Sequence, residues 1–358
     1  MVTTLADIQA LLRRARDPAE IFGPLGADAV ATLRRRYREL AALAHPDRHA
    51  ALAAEAHEAF TALQQWYRRA SDALADGVYD AAPALSIESP LRRYTSTAAP
   101  IAGDLCDVYF ARGDGEPMVL KIGRSSRTTD LLAAEASALR QIGRALAGQP
   151  VAAHFPTLVE AFVLRDSGGV RRQINVLGRE CDTVSLAQVI AAYPRGIAAA
   201  DAGWVINRLL TALAVTHAQG LVHGAVLPEH VLIRTADHNA TLIDWCYSAP
   251  IGAPLRAISR RYAADYPPEV HARQPATPAT DLALMARCIA RLLGGDGDPE
   301  RLPRAVPAAL RTLLRTCIIP SPHRRPQDAW QLFDDIQQIL RANYGPPVFR
   351  PFPFVQSI

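Results

Sequence analysis

Between Asp28 and Ala50, apolar side chains recur at helical spacing. Leu33, Tyr37, Leu40 and Ala44 fall on one stripe, and Arg34, Arg35 and Arg38 fall largely off it. The pattern predicts an amphipathic helix with a basic outer face. Pro46 ends it, because the residue before a proline avoids the helical region. A second helix is predicted from about Ala51 to Leu74, with Phe60, Leu63 and Tyr67 at matching spacing. Two helices joined by a short loop pack naturally as an antiparallel pair.

The pattern then changes. Residues 81–100 are rich in Ala, Ser, Thr and Pro and read as a linker that becomes the first strand of a second domain. Residues 106–123, CDVYFARGDGEPMVLKIG, read as two strands around a glycine-containing hairpin turn, with Val108, Phe110, Val119 and Ile122 suited to a half-buried pleated surface. The stretch TTDLLAAEASALRQIGRAL reads as a helix starting at a Thr or Asp, with Leu131, Leu132, Ala136 and Leu139 apolar. Glu135 lies on it, fourteen positions after Lys121. Two further strands are predicted at FPTLVEAFVL and QINVLGRE, and from Ala200 the pattern is mostly helical. Trp66, Trp204 and Trp330 fall on helical patterns, as core or interface. No internal repeat is visible. The expectation is a multidomain chain, α followed by α+β.

Composition narrows the class. With 358 residues, 49% hydrophobic and 21% charged, the chain reads as an ordinary soluble globular protein. It has no apolar run of membrane-spanning length, and its first residues lack the features of a signal peptide, so no membrane partner and a cytoplasmic address are expected. The net charge of +4 does not indicate nucleic acid. Cys106, Cys181, Cys246, Cys288 and Cys317 lie far apart without a CxxC pair, and are expected as buried free thiols. Abundant Arg and Ala suggest a GC-rich, bacterial source. Among 39 basic residues there is one lysine, Lys121. A lone compact ammonium in an arginine-rich chain marks a place where a broad planar guanidinium does not serve.

The stretch from Asp17 to Arg48, DPAEIFGPLGADAVATLRRRYRELAALAHPDR, resembles a J-domain: a short first helix, a basic second helix, then His45-Pro46-Asp47. Residues 56–80, AHEAFTALQQWYRRASDALADGVYD, resemble its third helix and its usual ending near Tyr79-Asp80. The resemblance implies a DnaK-type chaperone as partner. His45, Pro46 and Asp47 would trigger ATP hydrolysis, and Arg34, Arg35 and Arg38 would steer the helix onto an acidic chaperone surface. Two features depart from the family: an apolar segment, Leu5 to Leu12, precedes the domain, and no Gly/Phe-rich segment follows it.

From about Ala99 to Ile339 the chain resembles a bilobal protein kinase. MVLK resembles the strand lysine that holds nucleotide phosphates, with Glu135 as its helix partner. LVHGAVLPEHVLI and ATLIDWCYS resemble the catalytic loop and the metal-binding segment, with Asp244 in the aspartate position. YPPEV resembles the end of the activation segment, which pairs Glu269 with Arg325 of PHRRPQDAW, and ATDLALMARCIARLLGG resembles the next helix, opening with Asp281. The departures fall on the chemistry. Ala225 replaces the proton-accepting aspartate, Leu227 the basic helper and His230 the second metal ligand, where imidazole suits softer metals than magnesium. Gly224 replaces an arginine, and Trp245 and Cys246 replace Phe and Gly. In IAGDLCDVY only Gly103 falls on a phosphate-loop glycine position, with Ile101 and Cys106 at the others. The resemblance therefore implies a pseudokinase, since a general base alone is worth about a hundredfold or more in rate.

The predicted domains are a J-domain with an extra N-terminal segment at 1–80, a linker at 81–95, a kinase-like domain at 96–345 and a Pro/aromatic tail at 346–358. The expected function is that of a co-chaperone or adaptor recruiting a DnaK-type chaperone, with a kinase-like domain for a protein client, ATP, or both. The candidate nucleotide site is Lys121, Glu135, Asp244 and Gly103, with Mg²⁺ or Mn²⁺ at Asp244 and, more weakly, His230. Three alternatives stay open. One is an atypical ATP-dependent transferase using Asp244, His230 or Glu229; another is a structural Lys121–Glu135 ion pair without a ligand; the third is a J-domain that serves only for docking and no longer stimulates a chaperone. The tail is either a polyproline-type docking peptide or a segment packed on its own domain.

Overall fold

The computed structural model describes residues 4–15, 18–26, 28–49, 52–75, 79, 85–96, 99–114, 116–166, 168–180, 182–234 and 236–348. The chain divides into two units, one of residues 1–86 and 95–99, the other of residues 87–94 and 100–358. The fold is mixed α/β and multidomain. Among the described residues, no helix is long and apolar enough to cross a membrane.

In the first unit, helices α1 (Leu5–Arg14), α2 (Pro18–Phe22), α3 (Ala29–Ala44) and α4 (Ala53–Ala75) surround one small core. Thr4 starts α1 with a capping box: its hydroxyl accepts from the Asp7 N–H at 3.2 Å, and the Asp7 carboxylate accepts from the Thr4 N–H at 3.0 Å. The segment Leu5–Leu12, expected to precede the domain, is α1 itself and belongs to the core. Ile8 packs with Ala44, Ala56 and Ala59, and Leu11 shares a cluster with Phe22, Leu33 and Leu63. A leading amphipathic segment reads as an appendage until the face that covers it is seen. Helix α3 ends where Pro46 requires, with His45 extended at φ −66°, ψ 128°, and Pro46–Arg48 form a 3-10 turn. Arg48 and His49 donate back to the carbonyls of Ala42 and Leu43 at 2.9 and 2.8 Å, holding the turn against the helix end. The Tyr79 hydroxyl donates to Gly23 O at 3.1 Å, while Asp80 lies outside the described residues.

Most of a seven-stranded antiparallel sheet lies in the second unit. Its strands are β1 (Leu85–Glu88), β2 (Arg93–Ser96), β3 (Ile101–Ala102), β4 (Cys106–Gly113), β5 (Glu116–Gly123), β6 (Leu158–Arg165) and β7 (Arg171–Gly178), in the order β1-β2-β4-β5-β7-β6 with β3 paired to β4. The stretch 81–95, predicted as linker, carries β1 and most of β2, and residues 81–84 lie outside the described set. Its Ala, Ser and Pro content hid the alternation. Tyr94 is fully buried, its hydroxyl donates to Glu160 Oε2 at 2.8 Å, and its ring lies where a side chain at Gly113 would stand. Helix α5 (Ser126–Ala145) follows β5. It starts earlier than predicted because Ser125 caps it through a reciprocal pair with Thr128.

The rest is mostly helical, as the periodicity predicted. The elements are β8 (Thr183–Ser185), α6 (Leu186–Ala192), α7 (Ala199–Ala218), β9 (Leu221–Val222), β10 (Val231–Arg234), β11 (Asn239–Leu242), β12 (Ala249–Pro250), α8 (Pro268–His271), α9 (Pro278–Leu292), α10 (Ala308–Cys317) and α11 (Ala329–Tyr344). One large core runs from α5 through α7 and α9 to α11. Cys106, Cys246, Cys288 and Cys317 are buried free thiols within it, as expected, while Cys181 lies outside the described residues. Trp245 is wholly buried, whereas Trp330 is 48% exposed at the start of α11, edge-on to Phe333.

Candidate functional site

The strand register builds the site. In the antiparallel ladders, Lys121 on β5 stands opposite Val108 on β4 and Asn175 on β7. Its side chain, 3% exposed, reaches Glu135 Oε1 of α5 at 2.5 Å and Asp244 Oδ1 at 2.5 Å. The Cys246 thiol lies 3.8 Å from the same ammonium. The three residues predicted to meet do meet. Burial by itself would lower the Lys121 pKa, but the surrounding acidic groups, Asp244 and Glu135 among them, outweigh it and hold the pKa well above its ordinary value. Burial likewise opposes ionisation of Asp244, and Lys121 and His230 overcome it, holding this carboxyl well below the usual carboxylate range. The Cys246 and Cys106 thiols are pushed up by burial, Cys106 to about 12.

Asn175 went unpredicted. Its amide donates to Glu135 Oε2 at 2.9 Å and to the Leu132 carbonyl at 2.8 Å, while Gln173 donates to its carbonyl oxygen at 3.0 Å. Asn175 therefore fixes the rotamer of the glutamate that fixes the lysine. The available signal was a polar pair, Gln173 and Asn175, alternating with the apolar Ile174 and Val176 in β7.

Asp244 follows β11 and has left-handed backbone, φ 66° and ψ 51°, which for a non-glycine residue costs about 1 kcal/mol or more. Its neighbours hold it there. The Trp245 indole donates to Leu242 O at 2.8 Å, and the ring packs edge-on to His223, centroids 4.8 Å apart. His223 donates from Nε2 to Ile243 O at 2.9 Å and accepts the Ala225 N–H at Nδ1, 3.3 Å away. Both bonds need the neutral ring, and burial lowers the His223 pKa to about 4. The backbone N–H groups of His223 and Gly224 each donate to Asp281 at 2.8 Å, and His217 Nε2 bonds the same carboxylate at 3.0 Å.

His230 lies beside Asp244, with Nε2 3.1 Å from Oδ2. Its Nδ1 is 2.9 Å from Ala225 O, so each ring nitrogen faces an oxygen. Ala225, at the expected base position, is fully buried and offers this array only its backbone. Glu229 points elsewhere, to Arg261 at 2.8 Å. Gly103 lies in the β3–β4 turn, where its N–H donates to Cys106 O at 3.0 Å. The next residue, Asp104, ties that turn to a distant segment, accepting from Ser259 Oγ at 2.8 Å and from the Arg260 N–H at 3.2 Å. Glu269 and Arg325 form the predicted pair, buried and bidentate at 2.6 and 3.0 Å.

Among the described residues, Glu135, Asp244 and Cys246 offer metal-ligating atoms within 4.8 Å of one another. The Lys121 ammonium contacts all three.

In the first unit, Arg34, Arg35 and Arg38 lie along the middle turns of α3, and the His45-Pro46-Asp47 turn follows its C-terminal end. The His45 and Asp47 side chains are 47% and 88% exposed, and Asp47 N–H donates to His45 Nδ1 at 3.3 Å. Arg34, Arg35 and Arg38 are all exposed, with Arg35 4.0 Å from Glu39. No family model matches the chain, and no curated protein matches it significantly.

Proposed function

We propose that this protein is a J-domain adaptor. Its first unit recruits a DnaK-type chaperone and stimulates its ATPase, and its second unit is a kinase-like domain that holds ATP or a protein client without transferring phosphate. The observation that carries the first part is the joint exposure of the His45-Pro46-Asp47 turn and the three arginines of the preceding helix. Residues four apart on a helix share a face, so Arg34 and Arg38 present a basic strip leading to the turn. Such a strip speeds encounter with an acidic surface.

The second part is supported by what surrounds the phosphate-handling positions. Phosphoryl transfer needs a proton acceptor near the nucleophile and a metal-bearing carboxylate. Ala225 supplies only a methyl group, Glu229 is paired to Arg261, and Asp244 is paired on both oxygens. The nucleotide clause rests on Lys121, the one lysine of the chain, at the centre of the buried carboxylates.

The test is single-turnover ATP hydrolysis by a DnaK-type chaperone in the presence of the intact protein or its His45→Gln variant. Stimulation by the wild type that the variant lacks is the expected result, and equal rates would remove the co-chaperone role. Incubation with labelled ATP is expected to transfer no label to protein. Transfer that Asp244→Asn abolishes would instead establish a transferase.

A further inference from the structure

Protein-kinase chemistry implies a divalent metal at Asp244, and the donor set around that residue does not fit one. Mg²⁺ takes an octahedral shell of hard oxygen ligands, and it dehydrates reluctantly. Here Asp244 Oδ1 is 2.5 Å from the Lys121 ammonium and Oδ2 is 3.1 Å from His230 Nε2. Glu135 is engaged in the same way, Oε1 by Lys121 at 2.5 Å and Oε2 by Asn175 at 2.9 Å. The third group near enough to contribute is the Cys246 sulfur, a soft donor unsuited to Mg²⁺.

His230 is not a side chain waiting to swing away. Its Nδ1 is tied to Ala225 O at 2.9 Å, and Tyr247 stacks on its ring, centroids 5.5 Å apart and planes 27° from parallel. The ring is 10% exposed on its side chain, so moving it would uncover apolar surface and break the hydrogen bond to Ala225 O. A metal ion at Asp244 would also lie against the Lys121 ammonium, with little water to screen the repulsion.

We infer that this site excludes divalent metal, because Lys121 occupies one oxygen of Asp244 and the fixed His230 ring stands against the other. The positive charge that a phosphate ligand meets there is then that of Lys121. Resting on the ATP reading above, the corollary is that nucleotide is held metal-free, its phosphates facing Lys121 and His230.

The experiment is Mn²⁺ binding to the intact protein, read by water-proton relaxation, for wild type, His230→Asn, Asp244→Asn and the double variant. Wild type and Asp244→Asn are expected to behave alike. His230→Asn frees Oδ2 and substitutes an oxygen donor, and is expected to gain Mn²⁺ affinity by about tenfold or more, a gain that the double variant loses. Mn²⁺ binding by wild type that Asp244→Asn abolishes would overturn the exclusion, and this comparison stands even if the His230 variant does not fold. A folded His230→Asn protein with no gain would overturn the role of His230. Thermal shifts with ATP in EDTA and with ATP plus Mg²⁺ then test the corollary. Equal shifts support it, and a shift that needs Mg²⁺ refutes it. No shift with either refutes the ATP reading, leaving the exclusion to be judged on the Mn²⁺ comparison.

Discussion

Gly224 stands where the family resemblance expects an arginine, and a side chain there has no room. Its φ is 73°, and a Cβ would come within 2.7 Å of Tyr247 O and 2.8 Å of Leu255 Cδ2. Gly224→Ala is expected to cost about 2–4 kcal/mol, combining the left-handed penalty with overpacking, readable as a lowered denaturation midpoint. Its neighbour His223 sets a pH dependence. Its pKa falls from 6.5 to about 4 on folding, so the unfolded chain takes up a proton before the folded one does. Stability contributed by the neutral ring is complete above pH 6.5 and is lost as pH falls towards about 4, by up to about 3 kcal/mol. Stability curves for wild type and His223→Gln should differ in slope across that window. The same slope in both would mean that other groups control acid sensitivity. At this scale the sequence was informative where a residue type was conspicuous. Lys121 announced itself by being alone, and Ala225 by what it cannot do. Asn175 was hidden because its role depends on facing Lys121 across two strands, a register that sequence spacing does not reveal.

Elements were easier to anticipate than their ends. The α3–turn–α4 unit, the β4–β5 hairpin and α5 with its glutamate followed from periodicity, since one buried face is enough to dictate spacing. The β1–β2 hairpin was missed because its strands, LSIE and RYTS, are only four residues long and lie in a stretch rich in Ala, Ser and Pro. What connects elements was the least visible. Asp104, in the turn after β3, holds that turn to Ser259 and Arg260, more than 150 positions away. Removing two hydrogen bonds of about 1 kcal/mol each should favour opening of the turn by about thirtyfold. In Asp104→Ala, thiol labelling of Cys106 and Cys246, 4% and 2% exposed in the closed form, should accelerate by that factor. Unchanged labelling, with sites identified by mass spectrometry, would show that the turn is not what shields them.

At the scale of the molecule, the stretch read as a linker, residues 81–95, carries β1, most of β2 and the buried Tyr94. One further consequence follows from the placement of Lys121 on a central strand at 2% exposure. An endoproteinase specific for lysyl bonds has a single target in all 358 residues, and that bond is sealed inside the sheet. Scission at residue 121 thus requires the ion cluster to come apart first. Where reclosing outruns cutting, the scission rate measures the free energy of that opening. The native chain should resist for as long as the strand stays paired. A ligand that seats on the ammonium should prolong that resistance, so a protease and a gel suffice to screen for one.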